Sequence, residues 1–222
     1  TNYVSGYDQK NPNLIKQFNE LKASTWQNPL TVHQIEAYTL LKHYAMQYQS
    51  LILDWGCGTG MSTQILKDHY PSALVIGIDR SSARLKKNDF FKQHQSGKTH
   101  AYNSGLLLLQ ADIWSLIQQW EMNTLPEVDL QTFFYPNPYP KSKQCSKRIY
   151  LHPLTHQLHQ LSKHIEVRSD WLTYLEEWSQ ILITLGGKTH LSEINTQNPI
   201  TLFEAKYQAH LRPTYQLKAS LD

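Results

Sequence analysis

The chain is poor in the features that would commit it to an extracellular or membrane setting. Its 222 residues include only two cysteines, Cys57 and Cys145, in unrelated contexts. Two isolated thiols make neither a disulfide framework nor a zinc site. No run is long and apolar enough to span a membrane, and no secretory leader is visible. A cytoplasmic location without a membrane partner is therefore expected. The chain begins at Thr1 rather than at a methionine, which leaves a native start further upstream open. Neither sign of charge dominates: the formal net charge is +3 and the pI is about 8.7. That balance permits a nucleic-acid partner without requiring one. Internal repeats and low-complexity tracts are missing as well. Eleven histidines are scattered along the chain. His152, His156 and His159 could share a helix face, but no carboxylate or thiolate company suggests a metal, so a solvated face is expected and no metal.

Against this background one segment stands out. Residues 51–60 read Leu-Ile-Leu-Asp-Trp-Gly-Cys-Gly-Thr-Gly, and Val75-Ile-Gly-Ile-Asp79 follows one helical stretch later. An apolar strand runs into Asp54, then a glycine turn, then a helix; a second apolar strand ends in Asp79. In a doubly wound α/β sheet this order places a nucleoside cofactor across the ends of adjacent strands. Gly56, Gly58 and Gly60 allow a tight turn and a close approach of ligand to backbone. Asp79 follows Gly60 by nineteen residues, where such folds carry a ribose-binding carboxylate. Met61 stands where a dinucleotide fingerprint has its third glycine, which favours S-adenosylmethionine over a dinucleotide. The turn resembles the first motif of class I methyltransferases, Asp/Glu-x-Gly-x-Gly-x-Gly.

Hydrophobic residues make up 40% of the chain, enough for one large globular domain. Asn11-Pro12 and Asn28-Pro29 punctuate an amino-terminal extension, residues 1–48, with helices expected over 13–23 and 31–48. Residues 49–222 form the main domain. Strand patterns fall at 51–55, 74–78, 106–110, 130–135, 165–168, 188–193 and 214–218. Helical patterns fall at 60–69, 81–94, 113–121, 153–163 and 170–184. Strands alternating with helices imply a parallel α/β sheet. The methyltransferase resemblance implies a Rossmann-like arrangement of seven strands, the last antiparallel, with helices on both faces. Asp112, at the end of the third strand, is a candidate for the adenine amino group or for a helix N-cap.

The fourth strand leads into Tyr135-Pro-Asn-Pro-Tyr-Pro-Lys141, followed by Lys143, Lys147 and Arg148 without an intervening acid. Three prolines within five residues forbid regular structure and make a stiff loop at the cofactor end of the sheet. Aromatic rings with clustered positive charge suit an RNA backbone and an extruded base. Here the chain resembles the bacterial tRNA (guanine-N7)-methyltransferases (TrmB-like), whose signature is Phe-Pro-Asp-Pro-Trp-Pro-Lys followed by a basic stretch. Thr201-Leu-Phe-Glu204 matches a later family signature, Thr-x-x-Glu. Arg168-Ser-Asp170 stands where the family has a strand ending in Thr-Asp, and Arg212-Pro-Thr-Tyr-Gln-Leu217 resembles its closing strand. The resemblance covers residues 50–218, and it departs at Asn137 for aspartate, Tyr139 for tryptophan, and Ser162-Lys-His164 for a glycine pair.

The resemblance implies methyl transfer to N7 of a guanine in tRNA. Asn137, Asp170 and Glu204 are then the catalytic candidates. Tyr139, Lys141, Lys143, Lys147, Arg148 and Thr201 are the candidates for holding the RNA. Guanine N7 carries its own lone pair and needs no general base. A carboxylate accepts both N1–H and the exocyclic amine of guanine, and Asp170 and Glu204 are the candidates by family position. Asn137-Pro-Tyr139 also resembles the Asn-Pro-Pro-Tyr loop of methyltransferases acting on exocyclic amines of adenine or cytosine. A cofactor-fold protein that binds nucleic acid with little catalysis is a third reading.

Overall fold

The structure, a computed structural model, describes residues 10–195 and 198–221, apart from the side chains of Ser142 and Lys143. The chain divides into two compact units. Gln27–Phe134 with Ile200–Leu202 form the first; Thr1–Trp26, Tyr135–Pro199 and Phe203–Asp222 form the second. The two amino-terminal helices separate accordingly: α1 (Leu14–Ala23) belongs to the second unit and α2 (Val32–Ala45) to the first. Helix α2 opens on a capping box, in which Thr31 and Gln34 satisfy each other's backbone N–H groups.

The first unit is built on β1 (Ser50–Trp55), β2 (Leu74–Asp79), β3 (Gln95–Ser96), β4 (His100–Asn103), β5 (Leu106–Gln110) and β6 (Glu127–Phe134), in the order β3-β4-β5-β2-β1-β6. Strands β5, β2, β1 and β6 run parallel. Leu51, Ile52, Leu53, Leu74, Val75 and Ile76 are fully buried, which is why β1 and β2 read as unbroken apolar runs rather than as alternating ones. The register pairs Leu51 with Leu74 and Trp55 with Ile78, so both strands end at the same edge. Helices α3 (Met61–His69), α4 (Ser82–Leu85), α5 (Asp89–His94) and α6 (Ile113–Gln119) complete this unit.

The second unit contains three antiparallel strands, β7 (Ser162–Ser169), β9 (Tyr215–Ser220) and β8 (Lys188–Glu193), in the order β7-β9-β8. Helices α7 (Thr155–Gln160), α8 (Leu172–Thr184) and α9 (Leu202–Ala209) accompany them. Trp178, Tyr174, Ile181 and Leu182 on α8, with Phe18 and Leu14 on α1, are buried here.

The α/β class agrees with expectation, but among the described residues nine strands replace seven. The hairpin β3–β4 is the addition. Ser104 and Gly105 both have positive φ (47° and 80°), the two-residue turn that matches strand twist, and they fold β4 back along β5 with His100 opposite Leu109. The signal for this β4–β5 turn, Asn103-Ser-Gly105, directly precedes the leucine run. The helix expected over 81–94 is split, because Asn88 caps a new one by accepting the N–H of Phe91. Helix α9 is also additional to the expected elements.

Gly77, in the middle of β2, carries a packing constraint. A Cβ there would lie 2.4 Å from Thr63 Oγ1 and 2.7 Å from Leu108 Cδ2, so α3 rests on bare backbone. Gly77→Ala is expected to lower stability by about 1–3 kcal/mol through overpacking, read as a lower urea midpoint. A midpoint equal to wild type would show that α3 does not sit this close.

Candidate functional site

The glycine turn lies in the first unit, at the carboxyl ends of β1 and β2. Gly56, Gly58 and Gly60 all take left-handed φ (71°, 62° and 78°), which side chains resist. Gly56 and Cys57 donate their N–H groups to Ile78 O at 2.7 and 3.0 Å, binding the turn to the end of β2. Nothing lies within 4 Å of where a Cβ would stand at Gly56 or Gly58, so both present bare backbone to open space. Gly60 differs, since a Cβ there would touch Leu108 at 3.0 Å.

Two carboxylates hold this turn, in different ways. Asp54 is fully buried and accepts hydroxyls from Ser62 (2.6 Å), Thr63 (2.7 Å) and Thr132 (2.9 Å). Burial pushes its carboxyl up, and the three hydroxyls pull it back. It ties β1 to the start of α3 and to β6. Asp79 accepts Gly58 N–H on one oxygen at 2.9 Å and Ser81 N–H on the other at 2.8 Å, with Arg84 Nη1 3.6 Å away. Each oxygen keeps acceptor capacity beyond its one backbone bond. An open glycine cradle beside a carboxylate is a donor set that fits a nucleoside with ribose hydroxyls. Asp112 serves as the N-cap of α6, accepting Ser115 N–H at 3.0 Å.

The proline loop belongs to the second unit. Tyr135 and Tyr139 take φ of 55° and 48°, strained values for tyrosine, of order 1–3 kcal/mol each. Tyr135 N–H donates to Arg168 O at 2.8 Å, and Asn137 Oδ1 accepts Tyr139 N–H at 3.1 Å, turning the loop as an Asx turn. Asn137, Lys141 and Lys147 are exposed. The side chain of Lys143 lies outside the described residues. Thr201 is half-buried and sits in the first unit.

Asp170, just after β7, is 7% exposed and meets Arg212 Nη2 at 2.6 Å; burial pushes its carboxyl up while Arg212 opposes the rise. The guanidinium of Arg212 also lies 5.1 Å from the centre of the Tyr207 ring, which sits 5.7 Å from Tyr135. Glu204 departs from expectation. It is fully buried, and Arg168 Nη1 reaches both of its oxygens at 3.0 and 3.3 Å, while Arg168 Nε bonds Glu166 at 2.8 Å. A carboxylate with no exposed oxygen cannot receive a base edge without breaking this pair. Arg168 is not among the expected site residues, although Arg168-Ser-Asp170 places it two positions before one of them.

Arg148 also requires correction as a phosphate contact. It is 4% exposed and bonds Glu177 Oε2 at 2.7 Å, and Tyr150 Oη donates to the same oxygen at 2.6 Å. Asn11 N–H donates to Glu177 Oε1 at 2.6 Å, so this carboxylate joins α8, the end of the basic loop and the approach to α1. The histidines are no solvated face either. His159 is fully buried on α7 and accepts Trp178 Nε1–H at 3.0 Å. His152 Nδ1 accepts Leu154 N–H at 3.2 Å, and its ring stands edge-on to Trp26. Among the described residues no group of three His, Cys, Asp or Glu could hold a metal ion.

Two outcomes follow from these buried groups. Arg148→Ala leaves Glu177 buried without its cation and should lower stability by about 3–5 kcal/mol, whereas exposed Lys147→Ala should stay within about 0.5 kcal/mol. Chemical denaturation of the two variants distinguishes them, and equal midpoints would refute the burial of Arg148. Burial pushes His159 down to about 3 and His152 down to about 4. Their folded values lie below the unfolded value of about 6.5, so each contributes stability above that pH and loses it as the pH falls toward the folded value. Stability should therefore decline below about pH 6.5 by up to about 1.4 kcal/mol per pH unit for each of the two. NMR should find both imidazoles neutral at pH 5, and a protonated signal from folded protein there would contradict the assignment.

The Methyltransf_4 family model, "Putative methyltransferase", matches residues 48–217. A tRNA (guanine-N(7)-)-methyltransferase of Yersinia pestis (strain Pestoides F) is 24% identical over 169 residues, covering 71% of this chain and 66% of that protein. The matched stretch thus spans just under two thirds of the length of that curated relative. Among solved structures, "Structure of an Antibiotic Related Methyltransferase" aligns with a TM-score of 0.56 at 16% identity over 88% of this chain and 96% of that one. A 16S rRNA (adenine(1408)-N(1))-methyltransferase from Catenulisporales acidiphilia aligns at 0.54 with 13% identity, over 88% and 93%. At these identities the structural likeness shows a Rossmann-like methyltransferase fold and no more. With the family model covering the glycine turn, both acidic strand ends and the proline loop, the chain belongs to this methyltransferase family.

Proposed function

We propose that this protein transfers a methyl group from S-adenosylmethionine to N7 of a guanine in tRNA, in the cytoplasm, leaving S-adenosylhomocysteine. The observation that carries the cofactor half is the open glycine cradle at Gly56 and Gly58 with Asp79 beside it. The observation that supports the acceptor half is the stiff Tyr135–Lys141 loop with its exposed Asn137, Lys141 and Lys147. The Yersinia pestis relative named above carries this activity in its name.

When bound, the cofactor supplies an electrophilic methyl group on a sulfonium. In this reading Asp79 accepts ribose hydroxyls through its remaining lone pairs, and Asp112 faces the adenine amine with the oxygen that does not cap α6. The bare backbone of Gly56 and Gly58 lets the nucleoside lie close. Asp54 acts through the turn, as a positioning residue. On the acceptor side the chain has only to hold N7 in line and exclude water, since N7 brings its own electron pair. Asp170 takes the N1–H and exocyclic amine of guanine, exchanging half-exposed Arg212 for the base edge. Glu204 supports it from behind by fixing Arg168, whose carbonyl in turn fixes Tyr135. Asn137 holds the loop turn, and Thr201, Tyr139, Lys141, Lys143 and Lys147 hold the nucleotide and its phosphates.

Asp79→Ala should weaken cofactor binding by about 1.5–3 kcal/mol, the loss of a charge-assisted acceptor, measured by calorimetry. The same protein incubated with unmodified tRNA should yield 7-methylguanosine on nucleoside mass spectrometry. Asn137→Asp should retain or raise that yield, because aspartate preserves the Asx turn and restores the residue of the resembled signature, while Asn137→Ala should lower it. N6-methyladenosine as the product would replace this reading by exocyclic amine methylation. Firm cofactor binding with no methylated nucleoside would leave a nucleic-acid-binding protein of methyltransferase fold.

A further inference from the structure

The charge of the first unit is unevenly placed. Between Gln27 and Phe134 the chain carries eight lysines and arginines against nine aspartates and glutamates, so this unit is close to neutral. Yet six of the eight cations, Arg80, Arg84, Lys86, Lys87, Lys92 and Lys98, fall in residues 80–98, with Asp89 as the only acid among them. All six are exposed.

The two cations outside this segment are engaged: Lys42 bonds Glu121 at 2.7 Å, and Lys67 donates to Pro71 O and Ala73 O. Inside it, Lys92 meets Asp89 at 2.8 Å and Arg84 stands 3.6 Å from Asp79. Arg80, Lys86, Lys87 and Lys98 form no ion pair with any described residue. Arg80 precedes α4, Lys86 and Lys87 follow it, and Lys98 stands in the turn between β3 and β4, so all four are exposed cations that no ion pair among the described residues employs. A neutral unit that segregates its cations in this way is arranged for a polyanion. The segment follows directly on Asp79, and Lys87 lines a cleft together with Asn88, Phe90, Gln64 and Thr59, the last a residue of the glycine turn. Asn88 bridges the two, donating to Thr59 O at 2.7 Å. Lys87 thus stands beside the glycine turn, and Arg80 adjoins Asp79 in the chain.

We infer that residues 80–98 form a second RNA-backbone contact surface, separate in the chain from the basic loop at 141–147, with Arg80, Lys86, Lys87 and Lys98 as its phosphate contacts. This rests on the reading of the protein as an RNA methyltransferase. Such contacts position the RNA and carry no sequence information. Each neutralised phosphate contributes about 0.7–0.9 to the slope of log affinity against log salt, so four contribute about 3.

The test is the variant R80Q/K86Q/K87Q/K98Q, which leaves Asp79, Arg84 and the Asp89–Lys92 pair intact. Binding of an unmodified tRNA transcript, titrated from 50 to 300 mM salt, should weaken at least about tenfold at the low-salt end, with the slope shallower by about 3. The urea midpoint should match wild type, showing that the fold is kept. An RNA affinity and slope equal to wild type would overturn the proposal while leaving the enzyme reading untouched. Failure of the wild-type protein to bind any tRNA would instead remove the RNA reading itself, and this surface with it. Binding of wild type, but not of the variant, to phosphatidylserine vesicles in place of tRNA would reassign the patch to an anionic lipid surface.

Discussion

The architecture of the first unit depends on how two carboxylates hold a backbone that would not otherwise stay in place. Three residues within five take left-handed φ between β1 and α3. Glycine makes that conformation possible but also makes it loose, because it has the most freedom to lose on folding. Asp54 gathers three hydroxyls at the root of the turn, and Asp79 takes the N–H of Gly58 at its tip. Hydrogen bonds to charged groups contribute about 1.5–3 kcal/mol each, enough to offset the entropy of fixing a few residues. The parallel register of β1 and β2 brings the two carboxylates to one edge. Gly77 then lets α3 lie close enough for Thr63 to reach Asp54.

This half was legible in the sequence because its determinants are local. Strand, acid, glycines and helix follow one another, and the buried parallel strands announce themselves as apolar runs. Strands β3 and β4 were missed although Asn103-Ser-Gly105 encodes the turn from β4 into β5, since two- and four-residue strands leave almost no period to read. Asn88 split a helix that pattern alone made continuous, because its cap depends on a side chain that also reaches back to Thr59.

The second unit was legible as motifs and charge, but not as partners. A run of Lys141, Lys143, Lys147 and Arg148 looks uniform, yet its last member is the buried cation of an internal ion pair while Lys141 and Lys147 are exposed. What distinguishes Arg148 is Glu177, which no local pattern associates with it. The same holds for Arg168 with Glu204 and Arg212 with Asp170. Partners 36 and 42 positions apart are assigned by the antiparallel strands and the helix between them, not by spacing in the sequence.

Those arginine pairs also bear on the chemistry. A carboxylate buried against a guanidinium is a poor general base, since the pair covers its oxygens. A methyl acceptor that had to lose a proton would be badly served by Glu204 as it stands. An acceptor with its own lone pair needs only positioning, and positioning is what stiff, paired side chains provide. Strain points the same way: Tyr135 and Tyr139 hold unfavourable φ because the backbone bond to Arg168 and the Asx turn at Asn137 over-determine the loop between them. An asparagine performs that turn as well as an aspartate does, so the departure at residue 137 removes a charge from the loop without removing its shape. On the proposed reading, shape is the part that methyl transfer to N7 cannot do without.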